Sequence, residues 1–301
     1  MRKLFFLFPL VLLCASLGAR AEQLQVVTSF SILADLVEQV GGERVNVHSF
    51  LGPGEEAHHF QPSPSDARLI READLVVANG LGFDDWLVRL SRSVDSKKGL
   101  VIVSDGIRPL GLSQKALHRR HGHGHGTSDP HAWQDVGNVR RYVANIANAL
   151  IVEDPAGAGY YHNNAERYDH LLQELDLDIR TALNAIPKSH RKVVTAHDAF
   201  GYFAHAYDVQ FMSPVGVADN AEPSAKAVAA LIDEIRDYGV NAVFLEDISD
   251  PRLLEQISRE SGARIGGVLF SDALSDRQGS APDYLSMMRH NLNALIKVLS
   301  E

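Results

Sequence analysis

Short apolar runs alternate along this chain with stretches in which apolar residues recur every three or four positions. In the first half the runs are LQVVTSF (24–30), VNVHSFL (45–51), DLVVAN (74–79) and LVIVS (100–104). Helical spacing fills the gaps at 31–40, 63–72 and 83–90. Short runs that are apolar at nearly every position fit strands covered on both faces. Their alternation with helices predicts parallel sheets. The second half repeats the scheme with KVVTAH (192–197), VQFMSP (209–214), VNAVFLED (240–247) and ARIGGVLF (263–270). Its helical stretches, 223–239 and 251–262, each carry Pro in the first turn and stop at Gly, as helix ends prefer.

Between the halves, residues 133–186 read as helical, with a break near EDPAGAG (153–159). Residues 160–186 lie between Gly159 and Pro187, and Leu171, Leu175, Leu177, Ile179 and Leu183 give them an apolar face. A helix of about 27 residues would run roughly 40 Å, enough to span a small protein. The pattern predicts an α/β protein of two lobes, four candidate strands in each, joined by a long rigid linking helix. A kinked pair of ordinary helices is the alternative for the connector. The expected divisions are 22–135, 136–189 and 190–301.

The chain has 301 residues, of which 45% are hydrophobic, ample for two cored lobes. The first 21 residues stand apart. Arg2 and Lys3 precede the apolar run LFFLFPLVLLCASLG, and Ala19-Arg20-Ala21 fits a small-x-small cleavage site. This reads as a secretory signal peptide cut after Ala21. An uncleaved anchor is the alternative, although the run is short of the roughly 20 residues of a membrane span. Lipidation at Cys14 fits poorly, because Leu12-Leu13 precede it. Cleavage removes Arg2, Lys3 and Arg20 and no acid, so the formal charge moves from −9 to −12. No basic stripe remains to bind nucleic acid. Cys14 is the only cysteine, so the mature chain has neither disulfide nor thiolate ligand, which suits a bacterial periplasm.

In open α/β sheets, ligands bind beyond the carboxyl ends of the strands. That rule singles out His58 and His59, His197, Asp247 and Asp272, with His131 just before a helix. Three imidazoles and a carboxylate make a sensible tetrahedral set for zinc; manganese takes more oxygen. Taken singly, each residue has an ordinary structural explanation, and spacing alone does not assemble them. A second histidine group, His118, His121, His123 and His125, lies among Gly122, Gly124 and Gly126, which leave the backbone free to wander. Ordering such a loop around a metal costs entropy, so its sites should be weaker and interchangeable. A zinc hydrolase is a further reading, with Glu222 or Asp247 as base. Against it, H-E-x-x-H is absent and a fourth ligand would fill the position that water needs.

Five segments fall in order along the chain: HHFQPSPSDAR (58–68), DPHAWQD (129–135), HDAFGYFAHAYD (197–208), AEPSAKAVAALIDEI (221–235), and LFSDALS with DYLSMMRHNLNAL (269–295). Together they resemble the metal-specific periplasmic solute-binding proteins of ABC importers, the zinc and manganese binders, over essentially the whole mature chain. The resemblance implies two lobes with a four-stranded parallel sheet each, and no enzymatic activity. It implies four metal ligands: His58 from H-x-[FY]-x-P, His131 from D-P-H-x-W, His197 from H-x-x-F-x-Y-F and Asp272 from F-[ST]-D-[SA]-L. Ala57 departs from the usual Pro before the first ligand, and His59 takes a variable place. Manganese-preferring members commonly carry Glu where His197 stands, and zinc-binding members often carry a His-rich insertion such as 118–126. The expected cargo is therefore Zn2+, with a manganese or iron importer of the same class as the alternative. The expected partners are a membrane permease, a cytoplasmic ATPase and a periplasmic zinc-donor protein that meets the loop. A monomer is expected. The chain has no G-x-x-x-x-G-K-[ST] stretch, so it cannot power transport by itself.

Overall fold

The computed structural model describes residues 23–57, 60–94, 99–111, 128–214, 223–240 and 242–300. All eight predicted runs form strands. In the first half these are β1 (Leu24–Thr28), β2 (Val45–Ser49), β3 (Leu75–Ala78) and β4 (Gly99–Ile102). They make one sheet in the order β2-β1-β3-β4, parallel throughout. The second half gives β5 (Lys192–Val194), β6 (Gln210–Met212), β7 (Ala242–Glu246) and β8 (Arg264–Leu269). Their order, β6-β5-β7-β8, repeats the first sheet and is again all parallel. The strands are shorter than the apolar runs. Asn79, Ser104, His197 and Asp247, at the carboxyl ends of their runs, leave the ladder and enter loops.

Continuous apolarity has the predicted cause. Leu75 and Val77 of β3 face the central core, while Val76 and Ala78 face a smaller cluster outside the sheet. In β7, Ala242 and Phe244 point inward and Val243 outward. The helices that supply these covers are α1 (Ser31–Gly41), α2 (Pro64–Glu72), α3 (Asp85–Ser93), α4 (Val136–Glu153), α5 (Ala158–Asn184), α6 (Gly201–Tyr207), α7 (Ala225–Asp237), α8 (Arg252–Ser261) and α9 (Tyr284–Leu299). Local signals set several of their starts. Ser63 and Asp66 form a capping box at α2, and Asp135, Ser224 and Asp283 cap α4, α7 and α9.

The connector is one uninterrupted helix of 27 residues, α5, preceded by the break predicted around Pro155. Its buried stripe differs from the predicted face. Tyr161, Tyr168, Leu172, Leu175, Ile179 and Leu183 are buried, Leu171 is half-buried, and Leu177 is 64% exposed. Position 177 is two residues from both Leu175 and Ile179, about 200° around the helix from each, so it cannot share their face. The helix packs on α1 and α4 toward one lobe and on α6 and α9 toward the other.

One apolar core runs from the first sheet through α5 to the second. Buried hydrogen bonds cross with it. Leu274 N donates to Ser31 Oγ at 3.0 Å and Tyr284 N to Asp35 Oδ2 at 2.9 Å. Gly54 N also donates to Leu274 O at 3.0 Å. Among the described residues no helix is long and apolar enough to cross a membrane.

Candidate metal centre

In both sheets the chain reverses its direction of winding at the first strand, so switch points lie at β1/β3 and β5/β7. Crevices open at such points beyond the strand ends. At the first, Asp84 accepts hydrogen bonds from Ser29 Oγ (2.6 Å), Asn79 N (2.6 Å) and Gly80 N (2.9 Å), tying the loops after β1 and β3 together. Asn79 is fully buried; its amide donates to Pro130 O at 3.0 Å and its carbonyl accepts from Tyr142 Oη at 2.5 Å. The loop carrying His131 is thus fixed from β3.

His131 is fully buried, with ring contacts to Phe83 and Trp133. Asp129 Oδ1 lies 2.8 Å from His131 Nδ1 and also accepts His131 N at 2.9 Å. The pattern Asp-Pro-His thereby turns one ring nitrogen toward a carboxylate and aims Nε2 into the crevice. Gly201, at the start of α6, lies so close to Asp129 Oδ2 that an added Cβ would collide with it. Glycine is needed there for close approach rather than for its backbone freedom.

The second switch point supplies the facing wall. His197 follows β5, Glu246 ends β7 and Asp272 follows β8. His197 Nδ1 is 2.6 Å from Glu246 Oε2, and its Nε2 is 3.2 Å from Asp272 Oδ2. His131 Nε2 is 3.5 Å from Asp272 Oδ1. One ligand atom from each of His131, His197 and Asp272 lies within 4.8 Å of the others, and the three side chains are buried together. The two imidazoles approach different oxygens of Asp272, Oδ1 at 3.5 Å and Oδ2 at 3.2 Å, so the three side chains face a common point where a divalent ion could be held.

The electrostatics follow from this crowding. Burial disfavours a charged His197, but Glu246 and Asp272 outweigh it and push its pKa well above the ordinary imidazole value. A cation is what this pocket attracts, and a proton and a metal compete for the same nitrogen. Burial, helped by Asp272, also pushes the Asp247 carboxyl up to about 7.

Of the residues predicted from sequence, His131, His197 and Asp272 come together, and Asp247 is not in their cluster. His58, His59, the loop histidines His118, His121, His123 and His125, and Glu222 lie outside the described residues, as does the proposed signal segment. Sequence reasoning missed three supports. Asp129 was visible in Asp-Pro-His. Glu246 was visible as an acid ending an apolar strand. The third, the Ser271 carbonyl, had no signal at all: Trp133 Nε1 donates to it at 2.8 Å and Gln134 Nε2 at 2.7 Å, from the other lobe.

Two like parallel lobes on a rigid helix, with imidazoles and carboxylates converging between them, define a class: metal-binding, solute-binding proteins. The comparisons with known proteins carry this further. The family model for the periplasmic component A of zinc-uptake complexes, ZnuA, matches residues 26–298, and the chain belongs to that family. It is 34% identical to the manganese-binding lipoprotein MntA of Halalkalibacterium halodurans over 99% of this chain and 98% of that one. It is 33% identical to the iron-binding protein YfeA of Yersinia pestis, covering 92% and 86%. Its fold matches the periplasmic zinc-binding protein TroA of Treponema pallidum with a TM-score of 0.83 at 27% identity, covering 92% of this chain and 99% of that one. The family is one of substrate-binding components of metal-uptake complexes rather than of enzymes, which removes the hydrolase reading.

Proposed function

We propose that this protein captures Zn2+ at His58, His131, His197 and Asp272 and delivers it to an ABC-type importer, made of a membrane permease and a cytoplasmic ATPase. In this reading it works in the periplasm as a monomer, after cleavage behind Ala21, in the divisions 22–135, 136–189 and 190–301. The histidine-rich segment with His118, His121, His123 and His125 gathers zinc or meets a donor protein, and passes metal to the buried site.

One observation carries the reading. Two imidazoles present Nε2 to one carboxylate, 3.5 Å from its Oδ1 and 3.2 Å from its Oδ2, so that two nitrogen donors meet a single acid. Such a set suits zinc better than manganese, which takes more oxygen and more ligands. The second reading, a manganese or iron importer, draws on the names of the two relatives above.

Metal analysis of the purified protein, followed by titration of the metal-free form with zinc and manganese in competition, decides between them. Zinc should hold the site against equimolar manganese; displacement by manganese would overturn the choice. Alanine at His58, His131 or His197 should cost far more affinity than alanine at His59 or any loop histidine. Equal losses would remove the ligand assignment. Deleting 118–126 should lower uptake from scarce or protein-bound zinc while sparing the buried site's affinity.

A further inference from the structure

A short helix of the second lobe grips the segment of the first lobe that carries His131. Helix α6 begins four residues after His197. Its two tyrosines are buried and reach across the lobe junction. The Tyr202 hydroxyl accepts Leu110 N at 3.1 Å, and the Tyr207 hydroxyl accepts Val136 N at 3.4 Å. These two N–H groups bracket His131. An antiparallel bridge between Gly111 and Ser128 brings Leu110 back beside Asp129, and Leu110 O accepts Asp129 N at 2.9 Å. Asp129 in turn holds the His131 backbone and ring. On the other side, Gln134 N donates to His131 O at 3.1 Å, two residues before Val136.

The back of α6 is fixed to the connector. Tyr207 Oη donates to Asp176 Oδ1 at 2.9 Å, and Arg180 Nη1 donates to Ala206 O at 2.8 Å. The Arg180 guanidinium also lies 5.0 Å from the centre of the Tyr207 ring. Helix α6 is therefore a braced spacer. Its chain leads to His197, its hydroxyls lead to His131, and α5 stands behind it. We propose that Tyr202 and Tyr207 are positioning residues, whose hydroxyls set the placement of His131 against His197. A hydroxyl suits this task because it accepts a backbone N–H from one lobe while its ring packs in the other. Ligand sets weaken once their supports allow a drift of roughly 0.5 Å or 10–20°. The proposal rests on His131 and His197 both binding the metal.

Tyr202→Phe and Tyr207→Phe test it, each in the full chain. Either change keeps the ring and removes only the hydroxyl. Each leaves an N–H at the lobe junction without its partner, so some loss of stability is expected from structure alone. Two further readouts separate positioning from that loss. Zinc affinity should fall about tenfold, the lower end of the effect of partners behind metal ligands. Cobalt(II), loaded in place of zinc, absorbs visible light in bands that depend on ligand geometry, and those bands should shift. Ile257→Val serves as the control. Ile257 is buried in the cluster outside the second sheet, away from the lobe junction, and its truncation carries a modest stability loss of its own. It should leave both the zinc affinity and the cobalt bands of the parent.

Unchanged affinity or unchanged bands in either tyrosine variant would overturn the proposal. Changes of the same size in Ile257→Val would overturn it as well, since the effect would then follow stability and not placement. Failure of the underlying reading looks different: His131→Ala and His197→Ala would leave zinc affinity where it is in the parent, whatever the tyrosine variants do.

Discussion

At the scale of single residues, the same carboxylate chemistry gives opposite results in different surroundings. Asp272 lies beside two imidazoles and suits a cation. Asp35, on α1, has no positive partner among the described residues. It accepts Tyr284 N and Gln39 Nε2, and burial, the largest effect on it, pushes its pKa up to about 6. The folded state therefore holds this proton more tightly than the unfolded chain, whose carboxyl titrates near 3.8. Stability from this group is present below 3.8, declines as pH rises toward 6 and is absent above. Asp35→Asn can keep both hydrogen bonds if the Gln39 amide flips. The variant should be more stable than the parent above pH 6, by at most about 3 kcal/mol, and the gain should vanish below pH 4. Chemical denaturation across that range measures it; a variant less stable at pH 8 would refute the account.

At the scale of elements, α5 shows how far periodicity reaches. Its length and ends were legible to within two residues, because the break at Pro155 and the proline at 187 flank it, although Gly159, expected as its boundary, lies inside the first turn. Its buried face was partly misread, because a list of leucines ignores the angle between them. Tyr161 and Tyr168 occupy places on the buried stripe that apolar counting passed over. Leu175→Ala should cost about 2–5 kcal/mol, as expected for truncation in a packed core. Leu177→Ala should change stability by less than about 0.5 kcal/mol. Urea denaturation midpoints of the two variants check this directly, and similar losses at both positions would contradict the packing described.

At the scale of the whole molecule, the two lobes are not hinged on flexible strands. A single apolar core crosses between them, and Trp133 and Gln134 of one lobe hold the Ser271 carbonyl of the other directly beside Asp272. Opening the crevice by rotating the lobes would break these buried contacts, each costly to leave unmade. Metal release is expected to come from loop movement. X-ray scattering should give indistinguishable radii of gyration for metal-free and zinc-loaded protein; a decrease on loading of the size seen in hinge closure would refute this.

The sequence by itself determined the α/β class, the eight strands, the long connector and the residue types able to hold a metal, because apolar periodicity and helix-end signals are local properties. His131 could be seen to adjoin an acid, and Asp272 to follow a strand. Which strands pair, that the halves share one core, and that Glu246 and Ser271 serve the site were decided only by tertiary structure. Those facts depend on groups tens to hundreds of positions apart, such as Trp133 and Ser271, whose approach is fixed by packing against a common core rather than by anything in their neighbouring residues.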